Sequence, residues 1–393
     1  MNLFLIKLGK AFAAIKRDGI FVGGRRVLNY LVVFGRTILN FSSGDVLIVT
    51  GGVGDSANYR AYNVAEELNF HGIKASVMIQ DNPFLSMFGK RFKVFVFHRT
   101  IVTPTVAKLL NNIKEQNKEI IFETDDLVFD TKYMHATDSY KNMSYFEKKQ
   151  YAHGVGEEII KDDYVKVCTT STSYLANILK EYGKKVFILP NKLPEHELQV
   201  AENILKNMEK PNDGFVRIGY FSGTMSHNRD FATVSEALLE IMEKYPAVKL
   251  VLVGPLEIEN SLNKFKNRIE QLPLVARDKH YENVYRVDIN LAPLEMNNPF
   301  CEAKSELKFF EAGIVEVPTV AVKNQTFSEA IEDGMDGFVA GNTSEWVEKI
   351  SQLIENRDLR IAMGRMARQK ALEKYSNVNS DNEEYYNYLK SKL

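Results

Sequence analysis

One motif occurs twice in this chain and limits what it can fold into: a short, largely apolar run, a glycine-containing polar turn, and then a helical pattern. The first copy is the run 45–50, followed by Gly51-Gly52-Val53-Gly54 and a helical pattern carried by Ala61, Val64, Ala65 and Leu68. The second is the run 216–221, followed by Ser222-Gly223-Thr224 and a helical pattern over 231–244. Short continuous apolar runs read as strands covered on both faces, which is how parallel strands of α/β domains are written. Further strand patterns lie at 74–80, 94–97, 119–122, 166–169 and 185–189, with helical patterns at 104–117 and 173–182 between them. After the second copy, strand patterns follow at 249–254, 284–288 and 289–293. The expected fold class is α/β, with two Rossmann-like domains in tandem facing a cleft. A total of 393 residues suits two such domains. Pro190-Asn191-Lys192-Leu193-Pro194 punctuates the chain between them, and the expected domains are 44–195 and 196–378.

Residues 1–43 do not follow this pattern. Within 1–40 there are seven basic residues against Asp18 alone, a net charge of +6, whereas the whole chain carries −1. Phe4, Leu8, Phe12 and Ile15 form one stripe of a helical pattern over 3–17, with Lys7, Lys10 and Arg17 on the other. Asp18-Gly19 breaks it, and a second helical pattern runs over 25–39. Lys7, Lys10 and Arg36 interrupt the apolar stretches well short of a transmembrane span, and no small-residue cleavage site marks a signal peptide. The expectation is a basic amphipathic arm that lies on an anionic membrane surface, reversibly and in a salt-sensitive way; the other reading is a pair of packed or partner-binding helices. The balanced total charge excludes a chain basic throughout, and no nucleic-acid partner is expected. Two cysteines, Cys168 and Cys301, exclude a disulfide scaffold and a Cys-only zinc site.

Polar side chains collect where the expected strands end, the edge at which open α/β sheets bind ligands. In the first half these are the Gly52–Gly54 turn, His98 and the Asp125-Asp126 pair. Gly52-x-Gly54-x-x-Ala57, with Asp81 further on, fits a relaxed dinucleotide fingerprint; it equally fits another ligand at a helix N-terminus, or a tight turn. His98 reads as a base, a hydroxyl ligand or a satisfied strand-end histidine. Adjacent acids in extended chain point apart, so Asp125-Asp126 is a poor metal site, and no metal is expected.

In the second half, Gly219-Tyr220-Phe221-Ser222-Gly223-Thr224 with His227-Asn228-Arg229-Asp230-Phe231 resembles the first loop of a glycosyltransferase donor domain. Asp288-Ile289-Asn290-Leu291-Ala292-Pro293-Leu294-Glu295, leading into Lys304-Ser305-Glu306-Leu307-Lys308-Phe309-Phe310-Glu311-Ala312-Gly313, is similar to the nucleotide-sugar site of GT-B glycosyltransferases of family 4. Val317-Pro318-Thr319-Val320-Ala321 and the segment 331–338 resemble the next stretch of that family's donor domain, and the resemblance spans 45–375. It implies a GT-B fold, a nucleotide-diphosphate sugar as donor substrate rather than a cofactor, retention of configuration and no metal requirement. It implies that Glu311 holds the ribose. The expected donor contacts are Gly52, Gly54, Ser222, Gly223, His227, Arg229, Glu302, Lys304, Ser305, Lys308 and Glu311. Arg229 and Lys304 supply charge for the leaving diphosphate, and His98, Asp125 and Asp126 are expected at the reacting hydroxyl. Lys304 and Glu311, seven residues apart, would share a face if one helix spanned both. The family pattern has a second Glu eight residues before the ribose Glu; Ala303 stands there, with Glu302 one position early.

The implied acceptor is a saccharide or lipid-linked saccharide at the cytoplasmic face of a bacterial plasma membrane, in surface polysaccharide or glycoconjugate synthesis. The tail 357–374 reads as a basic helix, and 379–393 as a final helix that, by the resemblance, returns to the first domain. Two other classes remain: an NAD-dependent oxidoreductase or epimerase using the Gly52–Gly54 turn, and a non-catalytic GT-B subunit.

Overall fold

The computed structural model describes residues 24, 27, 28, 30–37, 42–134, 140, 148, 154–223 and 228–393. The helical pattern at 3–17 and its break at Asp18-Gly19 lie outside the described residues. Of the second arm pattern, residues 24, 27, 28 and 30–37 are helical. No helix among the described residues is long and apolar enough to cross a membrane.

The chain forms two compact units, one of Met1–Leu189 with Asn382–Leu393 and one of Pro190–Asp381. The first unit holds β1 (Val46–Thr50), β2 (Ala75–Ile79), β3 (Val94–His98), β4 (Glu119–Thr124), β5 (Val167–Thr170) and β6 (Lys185–Ile188). They form a single sheet in the order β2-β1-β3-β4-β5-β6, parallel at every pairing. β1 and β3 are buried at every position, as their unbroken apolar runs require. The intervening helices start where the chain supplies caps: Thr103 accepts from the Val106 N–H before Pro104–Glu115, and Thr172 accepts from Leu175 before Ser173–Lys180.

On one face of this sheet Val46, Ile48, Val94 and Val96 pack with Val64 and Leu68. Tyr385, Tyr386 and Leu389 of the helix Glu383–Lys390 complete the same cluster. Tyr386 donates to Glu67, and its ring stacks on His71 with centroids 4.2 Å apart.

The second unit holds β7 (Val216–Phe221), β8 (Val248–Val253), β9 (Ile269–Leu272), β10 (Ile289–Ala292), β11 (Thr319–Val322) and β12 (Phe338–Ala340). Their order is β12-β11-β10-β7-β8-β9, again parallel throughout. Counted within the unit, this is the doubly wound order 3-2-1-4-5-6. Each sheet therefore has a switch point where successive connections leave in opposite directions, between β1 and β3 in the first and between β7 and β10 in the second.

Two expectations are corrected. The pattern at 284–288 is not a strand: Val284 and Tyr285 end the helix Arg277–Tyr285. Tyr281, Val284 and Tyr285, at i, i+3 and i+4, are its buried face. Nor does one helix carry both Lys304 and Glu311. Pro299–Glu302 is one short helix and Leu307–Gly313 another, with Lys304 and Ser305 in the irregular break between them.

Candidate functional site

In the first unit, β1 and β3 end in register at Thr50 and His98. Thr50 Oγ1 accordingly lies 3.0 Å from His98 Nδ1. The glycine turn then starts a helix at Asp55, which brings Ser56 to the other side of the ring. Ser56 Oγ is 3.1 Å from His98 Nε2 and donates to Asp125 Oδ2 at 2.8 Å. Ser56 has one proton, and it goes to Asp125, so Nε2–H donates to Ser56.

Arg99 closes the cluster from the far side. Its Nε is 2.7 Å from Asp125 Oδ1, and its guanidinium reaches Asp126 Oδ2 at 3.0 Å. It holds this pose with φ of +44°, an uncommon conformation for a residue with a side chain. Burial would raise the Asp125 carboxyl, but Arg99, His98 and Arg60 overrule it and keep Asp125 well below the usual carboxylate range. Asp126 also caps the short turn Leu127–Phe129, accepting from the Leu127 N–H at 2.6 Å. Beneath them, the fully buried Arg60 donates to Glu123 Oε1 at 2.8 Å and to the Leu189 carbonyl at 2.6 Å.

Expected site residues therefore sit differently from one another. Asp125 and Asp126 share one guanidinium. His98 is 1% exposed with both ring nitrogens engaged, by Thr50 on one side and Ser56 on the other. Around Gly52 and Gly54 there is open space, whereas a Cβ at Gly51 would stand 1.9 Å from the Arg99 carbonyl oxygen. The steric need for glycine is at 51, and the openness is at 52 and 54.

In the second unit the polar residues gather at the β7/β10 switch point. Lys308, in the first turn of Leu307–Gly313, donates to the Phe221 carbonyl at the end of β7 and lies over the Tyr220 ring at 5.0 Å. Burial pushes its ammonium down to about 8, against the pull of Glu311. Lys304 and Asp230 act on the same group, which ties all four charges into one cluster. Lys304 Nζ is 2.7 Å from Asp230 Oδ2. The other Asp230 oxygen accepts from the Glu295 N–H and from the Cys301 thiol, each at 3.3 Å. Burial pushes that thiol up to about 12.

Glu311 lies one turn beyond Lys308. Arg277 donates to it at 2.8 Å, and His280 Nε2 is 3.5 Å away. Burial would raise the Glu311 carboxyl, but Arg277, His280 and Lys308 bring it to about 2. Arg277 also bridges to Glu197 at 3.0 Å, so the carboxylate expected to hold a ribose is itself held by a buried ion-pair network.

The remaining donor candidates fall around this cluster. Ser222 is buried, with its N–H on the Val253 carbonyl at 2.8 Å, and Gly223 is exposed. A Cβ at Gly254, whose φ is +98°, would stand 1.9 Å from the Ser222 oxygen, so glycine there lets the two loops touch. Ser305 accepts from Asn191 Nδ2 at 2.8 Å. Glu302 ends its short helix half-buried, and Ala303 is buried beside it. Arg229 is exposed in the first turn of Asn228–Lys244, and its neighbour Asp230 is the buried residue that meets Lys304. His227 lies outside the described residues. Among the described residues, the potential ligand atoms of Asp230, Glu295 and Cys301 lie within 4.8 Å of one another, and the Lys304 cation already pairs with that Asp230.

Sequence reasoning missed Thr50, Ser56, Arg99, Glu197, Asp230, Arg277 and His280 as members of these clusters. Asp230 stood inside the segment 227–231 and Ser56 at an open position of Gly52-x-Gly54-x-x-Ala57, and their helix-start positions were the available signals. Arg277 and His280 lie in the helix read in part as a strand.

The family described as "Glycosyl transferases group 1" matches residues 217–356, which contain β7, β10 and the Lys304–Glu311 segment. The capsular polysaccharide biosynthesis glycosyltransferase CapM of Staphylococcus aureus is 28% identical over 172 residues. That match covers 42% of this chain and 43% of CapM, less than half of either. Anabaena Alr3699/HepE, solved in complex with UDP, has a TM-score of 0.58 at 12% identity, covering 88% of this chain and 100% of that one. A glycosyltransferase from Rickettsia africae ESF-5 has a TM-score of 0.59 at 15% identity, covering 90% and 99%. At these identities the structural likeness is one of fold.

Proposed function

We propose that this chain, which carries a glycosyl transferases group 1 domain at 217–356 on a GT-B fold, transfers a sugar from a nucleotide-diphosphate sugar to a saccharide or lipid-linked acceptor. The observation that carries the reading is the cluster of Lys304, Lys308 and Glu311 at the β7/β10 switch point, inside the family-matched segment. Two ammonium groups beside a strand end suit a diphosphate, and a carboxylate one turn away suits a ribose diol. HepE was solved with UDP, which favours a uridine diphosphate donor here. Capsular polysaccharide synthesis by CapM favours a surface-saccharide acceptor.

In this mechanism Lys304 leaves Asp230 for the departing diphosphate, and Lys308 adds charge from below. Both act more strongly as negative charge grows on the leaving group, which is the condition for accelerating the step. Arg229, at the exposed start of its helix, is a third cation for the phosphates. In the first unit the Ser56–Asp125 pair, backed by His98, receives the acceptor hydroxyl. By the family resemblance the transfer retains configuration, and it needs no metal, because lysines take the role that a divalent ion plays elsewhere. The protein works at the inner face of a bacterial plasma membrane, held there by residues 1–40. Exposed Leu28, Leu31 and Val32, at i, i+3 and i+4, support that attachment.

Thermal shift against a panel of nucleotides and nucleotide sugars tests the donor, since a ligand at 100 times its Kd adds about 2.7 kcal/mol. No shift with any nucleotide diphosphate would sink the proposal. Transfer that stops in EDTA and returns with manganese or magnesium would overturn the metal-independent step.

A further inference from the structure

The first unit carries an apolar stripe that its core does not use. The segment Leu85–Lys90 is a 3₁₀ helix, opened by the Met87 N–H on the Phe84 carbonyl at 2.9 Å. In a 3₁₀ helix residues three apart eclipse one another. Leu85 and Phe88 make the buried stripe, whereas Phe84 and Met87 make another that is 44% and 55% exposed. Two large apolar side chains in register on an outward face are more than a scattered surface residue.

From Asn82 to Lys114 the chain holds six basic residues, with Asp81 and Glu115 just outside; Arg99 pairs with Asp125 and Asp126 and Lys114 with Asp162, which leaves Lys90, Arg91, Lys108 and Lys93, whose Nζ donates to the Leu393 carbonyl at 2.6 Å. Lys90 and Lys93 are exposed, Arg91 lies over the Phe88 ring at 5.4 Å, and Lys108 is exposed on the helix that packs against this turn. Asn112 of that helix donates to the Ser86 carbonyl at 3.1 Å. Lys118, whose Nζ donates to the Gly89 carbonyl at 2.7 Å, is pushed down by burial and by Lys93. The N-terminal arm is fastened to the same loop: Tyr30 donates to Asp81 at 3.0 Å, and Asn82 donates to the Thr37 carbonyl at 3.2 Å.

We propose that Leu85–Lys90 is a membrane-contact element in its own right: Phe84 and Met87 enter the headgroup region of an anionic bilayer while Lys90, Arg91 and Lys93 face its phosphates. An apolar pair flanked by cations matches that surface, the cations drawing it to the phosphates and the apolar pair fixing the depth. An excess of exposed lysine beside the apolar pair suits a negative surface better than a protein face of mixed sign. The inference rests on the membrane reading above and extends it from the arm to the body of the first unit.

Co-sedimentation of the full chain with mixed phosphatidylcholine–phosphatidylglycerol vesicles at low salt tests it. F84S combined with M87S should lower the partition coefficient about tenfold, with melting temperature and nucleotide binding unchanged. K90E combined with K108E is the second variant; it should lower binding to the mixed vesicles and leave the weak binding to pure phosphatidylcholine as it was. Full binding in both variants would overturn this inference alone and leave the arm as the sole anchor. A wild-type chain that does not sediment with anionic vesicles would overturn the membrane reading and this inference together. A lipid-free dimer abolished by F84S and M87S would assign the stripe to a second copy of the chain instead, and would overturn the proposal.

Discussion

Lys304 Nζ lies 2.7 Å from Oδ2 of Asp230, a carboxylate only 3% exposed. The lysine assigned to the leaving diphosphate thus starts out neutralised, and the buried partner is the acid. The two deletions therefore cause different losses. Lys304→Ala leaves a buried carboxylate without its cation and should destabilise the second unit by about 1–3 kcal/mol, besides slowing transfer. Asp230→Asn added to it should recover part of the stability and none of the activity. Thermal unfolding and turnover of the single and double variants check this, and simple additivity in stability would show that the pair is not coupled.

Glu311→Ala should weaken nucleotide binding roughly 10- to 150-fold, the range for removing a charged hydrogen-bond partner. Its folded-state pKa of about 2 lies below the ordinary 4.5. The stability it contributes is therefore complete above about pH 4.5 and is lost as pH falls through about 2. The stability gap between wild type and Glu311→Gln should be flat from neutral pH to about pH 5 and close on further acidification. Calorimetry at neutral pH with unchanged affinity would mean that the ribose is held elsewhere.

Lys308 behaves in the opposite sense. Its pKa is depressed to about 8 from 10.5, so the unfolded chain binds the proton more tightly than the folded one. Stability should rise with pH between about 8 and 10.5, where only the unfolded state stays charged, and Lys308→Met should remove that rise. Diphosphate binding needs the charged form, so affinity should decline above about pH 8 in the wild type and stay level in the variant. A pH-independent Kd in the wild type would exclude Lys308 from the phosphate contact.

Gly51→Ala should destabilise the first unit by about 1–3 kcal/mol, since its Cβ would collide with the Arg99 carbonyl and neither backbone can yield freely. Gly52→Ala and Gly54→Ala meet open space and should stay within about 0.5 kcal/mol of wild type. Chemical denaturation of the three variants distinguishes them, and equal losses at all three would refute the steric assignment.

The buried strands were legible because a parallel strand covered on both faces is an unbroken apolar word. β9 was not: Ile269–Leu272 is an edge strand whose middle residues are exposed, so it leaves no apolar run. Val284 and Tyr285 misled because β-branched and aromatic residues favour strands, while the helical spacing back to Tyr281 set the outcome. The site was legible as residue types at strand ends and illegible as partnerships. Arg277 meets Glu311 across 34 positions, and Ser56 meets Asp125 across 69. No local pattern announces a pairing over such separations. The break at Lys304 and Ser305 contains neither proline nor glycine and gave no warning.

The helix Glu383–Lys390 completes a core that begins at Val46. A ribosome delivers the chain from one end, at about 5–20 residues per second. The sheet face formed by Val46, Val64, Leu68 and Val94 emerges early, and its cover of Tyr385, Tyr386 and Leu389 comes only after the whole of Pro190–Asp381 has been made. For about 10–40 s of synthesis the nascent first unit has an uncovered apolar face, long enough for a chaperone to recognise it. The second unit lies within one continuous stretch of chain and is under no such delay. In this protein the unit translated second is free to finish folding first.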